Sequence, residues 1–249
     1  MLRSLGFSQH EVFRVRLDDD LRPFIKCEWY GEVGYFCIDT GVRPDVALND
    51  VGIRSGELPL LRERDRFSVH HVAPFSLLGK ERPAGEVTVF PSEPEGNVFG
   101  SLGATYFADR VLAFDPAEPA VGVTDRDWRP PGSSWMRFAM SGTSGLPVTA
   151  DIRIADDSGS GFLALLSTGT CRSLVGPTAL LDDPEGKREV KLGGALLKVT
   201  LSVGDLPEYA VPLGGDLGLV LGSDVLCRFL TVFDFRARAI WMRSYPGAI

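Results

Sequence analysis

Long apolar runs, histidine clusters and paired cysteines are all scarce in this chain, and each scarcity removes a class of function. No apolar stretch approaches the about 20 residues that a helix needs to cross a bilayer. The opening residues, MLRSLGFSQHEVFRV, have one early Arg but no continuous apolar core or small-residue cleavage site, so they do not read as a secretion signal. Both absences point to a soluble, cytoplasmic protein. Only three His are present, and Cys27, Cys37, Cys171 and Cys227 form no C-x-x-C pair, so zinc-ligand spacing is missing. Buried free thiols are the expected state of these cysteines in a reducing compartment. A tight turn near residues 31–33 would nevertheless set Cys27 and Cys37 opposite each other across a hairpin. Basic residues are outnumbered, 26 Lys and Arg against 33 Asp and Glu, for a net charge of −7. Nucleic-acid and anionic-membrane partners need clustered Lys and Arg, so neither is expected.

Helical patterning is also thin. What the 249 residues do contain is 28 Gly and 17 Pro, spread so that they cut the chain into short pieces. Many pieces are β-branched or aromatic: VFRVRL (12–17), FIKCEWY (24–30), GYFCI (34–38), EVTVF (86–90), ADIRI (150–154), GFLALL (161–166) and LLKVTLSV (196–203). Such pieces between frequent turns predict an all-β protein. Hydrophobic residues make up 44% of the chain, enough for one large core or two small ones. The best helical stretches are ATYFADRVLAF (104–114) and SDVLCRFLTVF (223–233).

Those two stretches resemble each other and reveal an internal repeat. GSLGATYFADRVLAFD ends at Asp115 and GLVLGSDVLCRFLTVFD at Asp234, with Gly103 and Gly222 both 12 positions before the Asp. Upstream, GEVGYFCIDTG (31–41) lies over GSGFLALLSTG (159–169) without a gap. Further up, VFRVRL (12–17) parallels WMRFAM (135–140), and Pro23 parallels Pro147. The Pro- and Asp-rich stretch between reads as a connection. The expected layout is an N-terminal lobe over 1–117, a linker over 118–134 and a C-terminal lobe over 135–249.

A tandem unit of h-h-D-T-G followed by h-h-G, a short helix and h-F-D resembles the aspartic peptidases of the pepsin and retropepsin families. The carrying residues are FCIDTGV (36–42) with VFGSLG (98–103), and ALLSTGT (164–170) with LVLG (219–222). D-T-G alone reads more readily as an ordinary turn after a strand; the tandem repeat gives it weight. The resemblance implies a two-lobed acid-protease-like fold of two β-barrel-like repeats, one short helix per lobe, with no metal or organic cofactor. It implies Asp39 and Ser167 at the catalytic positions, and Thr40, Gly41, Thr168 and Gly169 in the substrate-binding loops around them. In the family two facing carboxylates share one proton, so one serves as base toward water while the other polarises the scissile carbonyl.

Here the second carboxylate is replaced by Ser167, and a hydroxyl does not share a proton at accessible pH. With no twin, Asp39 is expected to titrate near an ordinary Asp, about 3.9. Asp156 and Asp157 are the nearest acids in the second lobe but lie at the far end of the preceding strand. RFSVHHVAPF (66–75) falls where the first-lobe flap belongs, and His70 and His71 on it are expected as a strand-edge pair facing water. No Tyr occurs in 59–90, where pepsin-like flaps carry one, whereas VKLGGALLKV (190–199) resembles the Gly-containing flap hairpins of retropepsins. The retropepsin side is therefore the closer likeness. Three functions are compatible with this pattern: a peptide-binding pseudo-peptidase with weak or absent autonomous proteolysis, an active endopeptidase using Asp39 through pairing of two N-terminal lobes, or a structural or inhibitory scaffold. The expected partner is a peptide or protein, and the expected state a monomer or homodimer.

Overall fold

The computed structural model describes residues 1–91, 96–141, 145–149, 152–154, 163–175, 186–193, 195–203 and 217–245. Its first half carries strands β1 (Val12–Leu17), β2 (Pro23–Trp29), β3 (Glu32–Asp39), β4 (Val46–Leu48), β5 (Leu60–Glu63), β6 (Ser68–Val72), β7 (Phe75–Leu77), β8 (Lys80–Arg82), β9 (Gly85–Val89), β10 (Val98–Gly103), β11 (Val111–Asp115) and β12 (Ala120–Thr124). The second half carries β13 (Met136–Ala139), β14 (Val148–Thr149), β15 (Ile152–Ile154), β16 (Leu163–Leu166), β17 (Leu174–Val175), β18 (Gly186–Leu192), β19 (Ala195–Val203), β20 (Leu217–Leu221), β21 (Phe229–Asp234) and β22 (Ala239–Ser244). The α-helices among the described residues are two short ones, α1 (Asp50–Gly56) and α2 (Ser223–Leu226). The fold is all-β, as the turn-broken apolar pattern predicts, and two-lobed, as the internal repeat and the family resemblance imply.

The duplication is visible in the hydrogen bonding. In the first half β3 is parallel to β10, and β10 is antiparallel to β4; in the second half β16 is parallel to β20, and β20 is antiparallel to β17. Asp39 faces Gly103, and the pair Leu166–Leu221 sets Ser167 beside Gly222. The offset between copies is thus 167 − 39 = 128 early and 222 − 103 = 119 late. Even the register break recurs, since β10 slips between Val98 and Gly100 against β3, and β20 slips by the same step against β16. A bulge turns the strand locally and re-aims its downstream residues. In each copy that downstream stretch ends on the Gly beside the DTG or STG loop. The Phe-Asp ends of the repeat share a turn as well: Glu118 N donates to Asp115 Oδ1 and Ala237 N to Asp234 Oδ1.

The lobes share one sheet. One end of it is the run β13-β22-β21-β11-β12-β1, which reads as a mirror image about the β11–β21 seam. Across that seam Val111 pairs with Asp234, Leu112 with Phe233, Ala113 with Val232 and Phe114 with Thr231. Both faces of the sheet are covered. Leu112, Phe114 and Phe233 join the large core that runs through both lobes with Phe36, Ile38, Leu165 and Leu221. The reverse face is sealed by the N-terminal segment, where Leu2, Leu5 and Phe7 pack with Trp128 on Val111, Ala113, Leu230 and Val232. Trp128 Nε1 donates to Leu5 O at 2.9 Å. A β-carbon at Gly122 would come within 2.8 Å of the Phe7 ring, so this close cover needs the glycine.

Several local expectations are corrected. The stretch expected to link the lobes from 118 contains β12, which pairs with both β1 and β11, so irregular chain begins only after Thr124. Its Ala, Val and Gly residues look unremarkable singly but are all buried in the shared sheet. The parallel between β1 and β13 holds two residues away from the sequence alignment. Phe13 pairs with Val121 and Phe138 with Ile240, its 119-offset counterpart, so Phe13 matches Phe138. Cys27 sits opposite Gly34 and Cys37 opposite Phe24, because the β2–β3 turn is Tyr30–Gly31 with φ of 48° and 85°; all four cysteines are free thiols. Helix α1 was not expected. Asn49 starts it by accepting from Val51 N and Gly52 N while donating to Val98 O. The stretch 104–114 holds only a 3-10 turn at Ala104–Phe107 before β11.

Candidate functional site

Strand β3 ends on Asp39 and strand β16 runs into Ser167, so the shared topology brings the two loops tip to tip. Ser167 Oγ donates to Asp39 Oδ1 at 3.0 Å. The threonines lock the loops together reciprocally. Thr40 Oγ1 donates to Leu166 O (2.8 Å) and accepts from Thr168 N (3.1 Å). Thr168 Oγ1 donates to Ile38 O (2.6 Å) and accepts from Thr40 N (3.1 Å). The glycines permit the approach: a β-carbon on Gly41 would lie 2.3 Å from Ser167 Oγ, and one on Gly169 would lie 2.1 Å from Asp39 Cγ. No side chain survives either contact.

Around this symmetric frame the chemistry differs. Asp39 accepts at Oδ1 from Gly41 N (2.8 Å) and from Ser167, and it also receives the Gly169 N–H. Ser167 Oγ accepts from Thr170 N (3.1 Å) and lies 2.7 Å from Thr170 Oγ1. When Thr170 donates, the single proton of Ser167 goes to Asp39, giving a chain of three groups. The position matching Thr170 in the first lobe, 170 − 128 = 42, is Val42, so Asp39 has no hydroxyl of its own loop beside it. Burial pushes the Asp39 carboxyl above the usual range, against the opposing effect of the Gly41, Ser167 and Gly169 hydrogen bonds and the more remote Arg22 charge. The expectation of an ordinary Asp is corrected here: desolvation raises the carboxyl even without a second acid beside it.

A cavity of about 320 Å³ opens from Asp39 along the first lobe. Phe24, Cys37, Val42, Ala47, Leu48 and Phe90 give it an apolar lining, with Gly169 at the loop end and Arg22 at the rim. That size and character suit one large apolar side chain.

The structure brings together Asp39, Ser167, Thr40, Gly41, Thr168 and Gly169. Their division of labour differs from the expectation in one respect. Thr40 and Thr168 are fully buried with both hydroxyls committed to the opposite loop, so they brace the site and are not surfaces for a ligand. Asp156 and Asp157 lie outside the described residues. His70 does not face water: it is buried, with Nδ1 at 2.9 Å from Leu58 O and Nε2 at 3.0 Å from Ser68 Oγ, whereas His71 is exposed. RFSVHHVAPF supplies β6, the second strand of a β5–β6 hairpin that turns at 64–67. The hairpin at 190–199 forms as β18–β19, but β19 runs parallel to β17 as β9 does to β4, and its Gly193 turn packs on Met136 of β13. It therefore matches the β6–β9 pair and not the β5–β6 hairpin. Sequence reading missed Thr170 and Arg22; the hydroxyl three residues after Ser167 was the available signal for the first.

Among the described residues no group of three or more His, Cys, Asp or Glu is placed to hold a metal ion, and no helix is long and apolar enough to cross a membrane. No family model and no curated protein matches the sequence. Among solved structures, the aspartic proteinase from Irpex lacteus matches with a TM-score of 0.57 at 13% identity, over 95% of this chain and 98% of that one. At that identity the likeness concerns architecture: this chain has the two-lobed, mostly β fold of an aspartic proteinase.

Proposed function

We infer that the protein is a peptidase-like binder of extended peptides, held in the groove where the two loops meet, with weak or absent proteolysis of its own. The observation that carries this reading is Ser167 Oγ at 3.0 Å from Asp39 Oδ1, in the place symmetry reserves for a second carboxylate. Peptide hydrolysis by this architecture needs one group to take a proton from water while another gives one to the carbonyl. Asp39 alone holds only one of those states at a time, and its raised pKa favours the protonated one toward acid pH. The Ser167–Thr170 hydroxyl pair can orient a water but accepts no net proton. The apolar cavity and the free main-chain groups of an extended peptide remain compatible with binding by side-chain burial and strand-like hydrogen bonds. No metal or organic cofactor enters this scheme.

The endopeptidase reading, with two chains pairing their N-terminal lobes to rebuild a two-carboxylate site, is less favoured. It requires breaking the β11–β21 seam and the Thr40–Thr168 lock, both already satisfied within one chain at high effective concentration. The test is cleavage of unfolded protein substrates from acidic to neutral pH. Wild type and Asp39→Ala should be similarly slow, and Ser167→Asp should gain about 10²–10⁴-fold. Efficient cleavage by wild type that Asp39→Ala abolishes overturns the reading.

A further inference from the structure

Strands β1, β2 and β3 present one face that continues outward from Asp39. Successive same-side residues on β3 are Asp39, Cys37 and Tyr35; Cys37 pairs with Phe24 and Tyr35 with Lys26 on β2, and Phe24 pairs with Arg16 on β1. Phe24 is a wall of the cavity, and two guanidinium groups flank its ring, Arg16 Cζ at 5.4 Å and Arg22 Cζ at 5.5 Å from the centre. Arg16 also lies over Tyr35, at 4.5 Å. Stacking of this kind holds a guanidinium in place and leaves its N–H edge free for an anion.

The charges on this face are not internally balanced. Arg22 is held by Asp18 at 2.7 Å. Arg16 and Lys26 are both exposed, and neither has an ion-pair partner among the described residues; Glu28, next on the same face of β2, makes no pair with Lys26. Arg16 and Lys26 are thus two cations without ion-pair partners on the face that runs off the apolar cavity, with Glu28 and the β1–β2 turn acids Asp18, Asp19 and Asp20 nearby.

We propose that the groove selects peptides carrying a carboxylate side chain one or two residues from the apolar residue that fills the cavity, with stacked Arg16 as its main contact and Lys26 as the second. The inference rests on the peptide-binding reading above and adds the class of peptide. An exposed pair of this kind changes affinity by about two- to five-fold, and salt weakens it.

The experiment uses the full chain and a set of end-blocked octapeptides, each with one central Phe and otherwise neutral residues. Glu, Gln or Lys is placed in turn at each position beside the Phe, and binding is read by fluorescence anisotropy at low and high salt. At one or two positions Glu peptides should bind about two- to five-fold tighter than Gln peptides and Lys peptides weaker than both, with the differences closing at high salt. Arg16→Gln should remove most of the Glu preference, Lys26→Gln a smaller part and the two together all of it, and Arg16→Lys should retain part of it. Equal binding of Glu and Gln peptides to wild type, or a Glu preference that survives Arg16→Gln together with Lys26→Gln, overturns the proposal and leaves the groove reading intact. If no peptide in the set binds wild type, the groove reading falls, and this inference with it.

Discussion

The loop after β3 places a carboxylate at its tip and an apolar Val42 three residues later; the loop after β16 places a hydroxyl at its tip and a second hydroxyl, Thr170, three residues later. Between those differing positions the loops are alike, with Thr-Gly, a reciprocal threonine lock and mutual close approach at glycine. The comparison separates what holds such a site together from what gives it reactivity. The frame needs the threonines and glycines, whereas the tip residue can change from acid to alcohol without loosening it. In the described geometry Ser167 even serves the surviving acid, as a donor to Asp39.

The strongest way to break the symmetry is at the glycines. Gly169→Ala would drive a β-carbon into Asp39 Cγ and Gly41→Ala one into Ser167 Oγ, so each must push the loops apart. Denaturant titration should show losses at or beyond about 3 kcal/mol, the upper end for overpacking. The larger loss is expected for Gly169→Ala, because a branched carboxylate yields less than a single hydroxyl. Equal losses would mean that the tip residues relax alike.

Thr40→Val and Thr168→Val should come next, at about 1–3 kcal/mol each by chemical denaturation, since each strands buried backbone groups of the opposite loop. Because they belong to one network, the double variant should cost less than the sum. Additive losses would show that the two halves of the lock act independently.

Asp39→Asn sharpens the contrast between the tips through pH. Burial raises the Asp39 pKa in the folded protein, so the native state binds more protons than the unfolded state between about pH 3.9 and that raised value. Wild-type stability therefore falls as pH rises through the window, and the deficit persists above it. Asn has no such dependence. Melting temperatures of Asp39→Asn and wild type should agree at acid pH, with the variant higher near neutrality; a variant that melts lower at neutral pH would contradict the desolvation account. The smallest effect is expected for Ser167→Ala, about 0.5–1.5 kcal/mol for its lost hydrogen bonds. It should also raise the Asp39 pKa further, readable by carboxyl NMR titration.

The parts of this arrangement legible in the sequence are those carried by local pattern. Asp39 and Ser167 could be set opposite each other because the Thr-Gly pairs and Phe-Asp ends keep fixed spacing, and a gap between the two offsets does not disturb either block. What escaped depends on contacts between distant segments. Ala120–Thr124 looks like linker until β1 and β11 close on both its edges. Helix α1 carries two glycines and no apolar period, and exists because Asn49 bridges its first turn to β10. His70 is buried by a hairpin and the Leu58 carbonyl, neither of which the adjacent His71 signals. The raised Asp39 pKa escapes the sequence for the same reason, since desolvation is set by everything packed around the residue.

The seam between β11 and β21 bears on how this chain would respond to being cut. The stretch 131–134, just beyond buried Trp128, is exposed and rich in Pro, Gly and Ser. A protease nick there would sever the chain without releasing either piece, so two bands on a denaturing gel should migrate as a single particle under native conditions. Separately expressed halves should likewise find each other, and such a split pair would offer a reporter whose two parts reassemble through the seam, the shared core and the threonine lock.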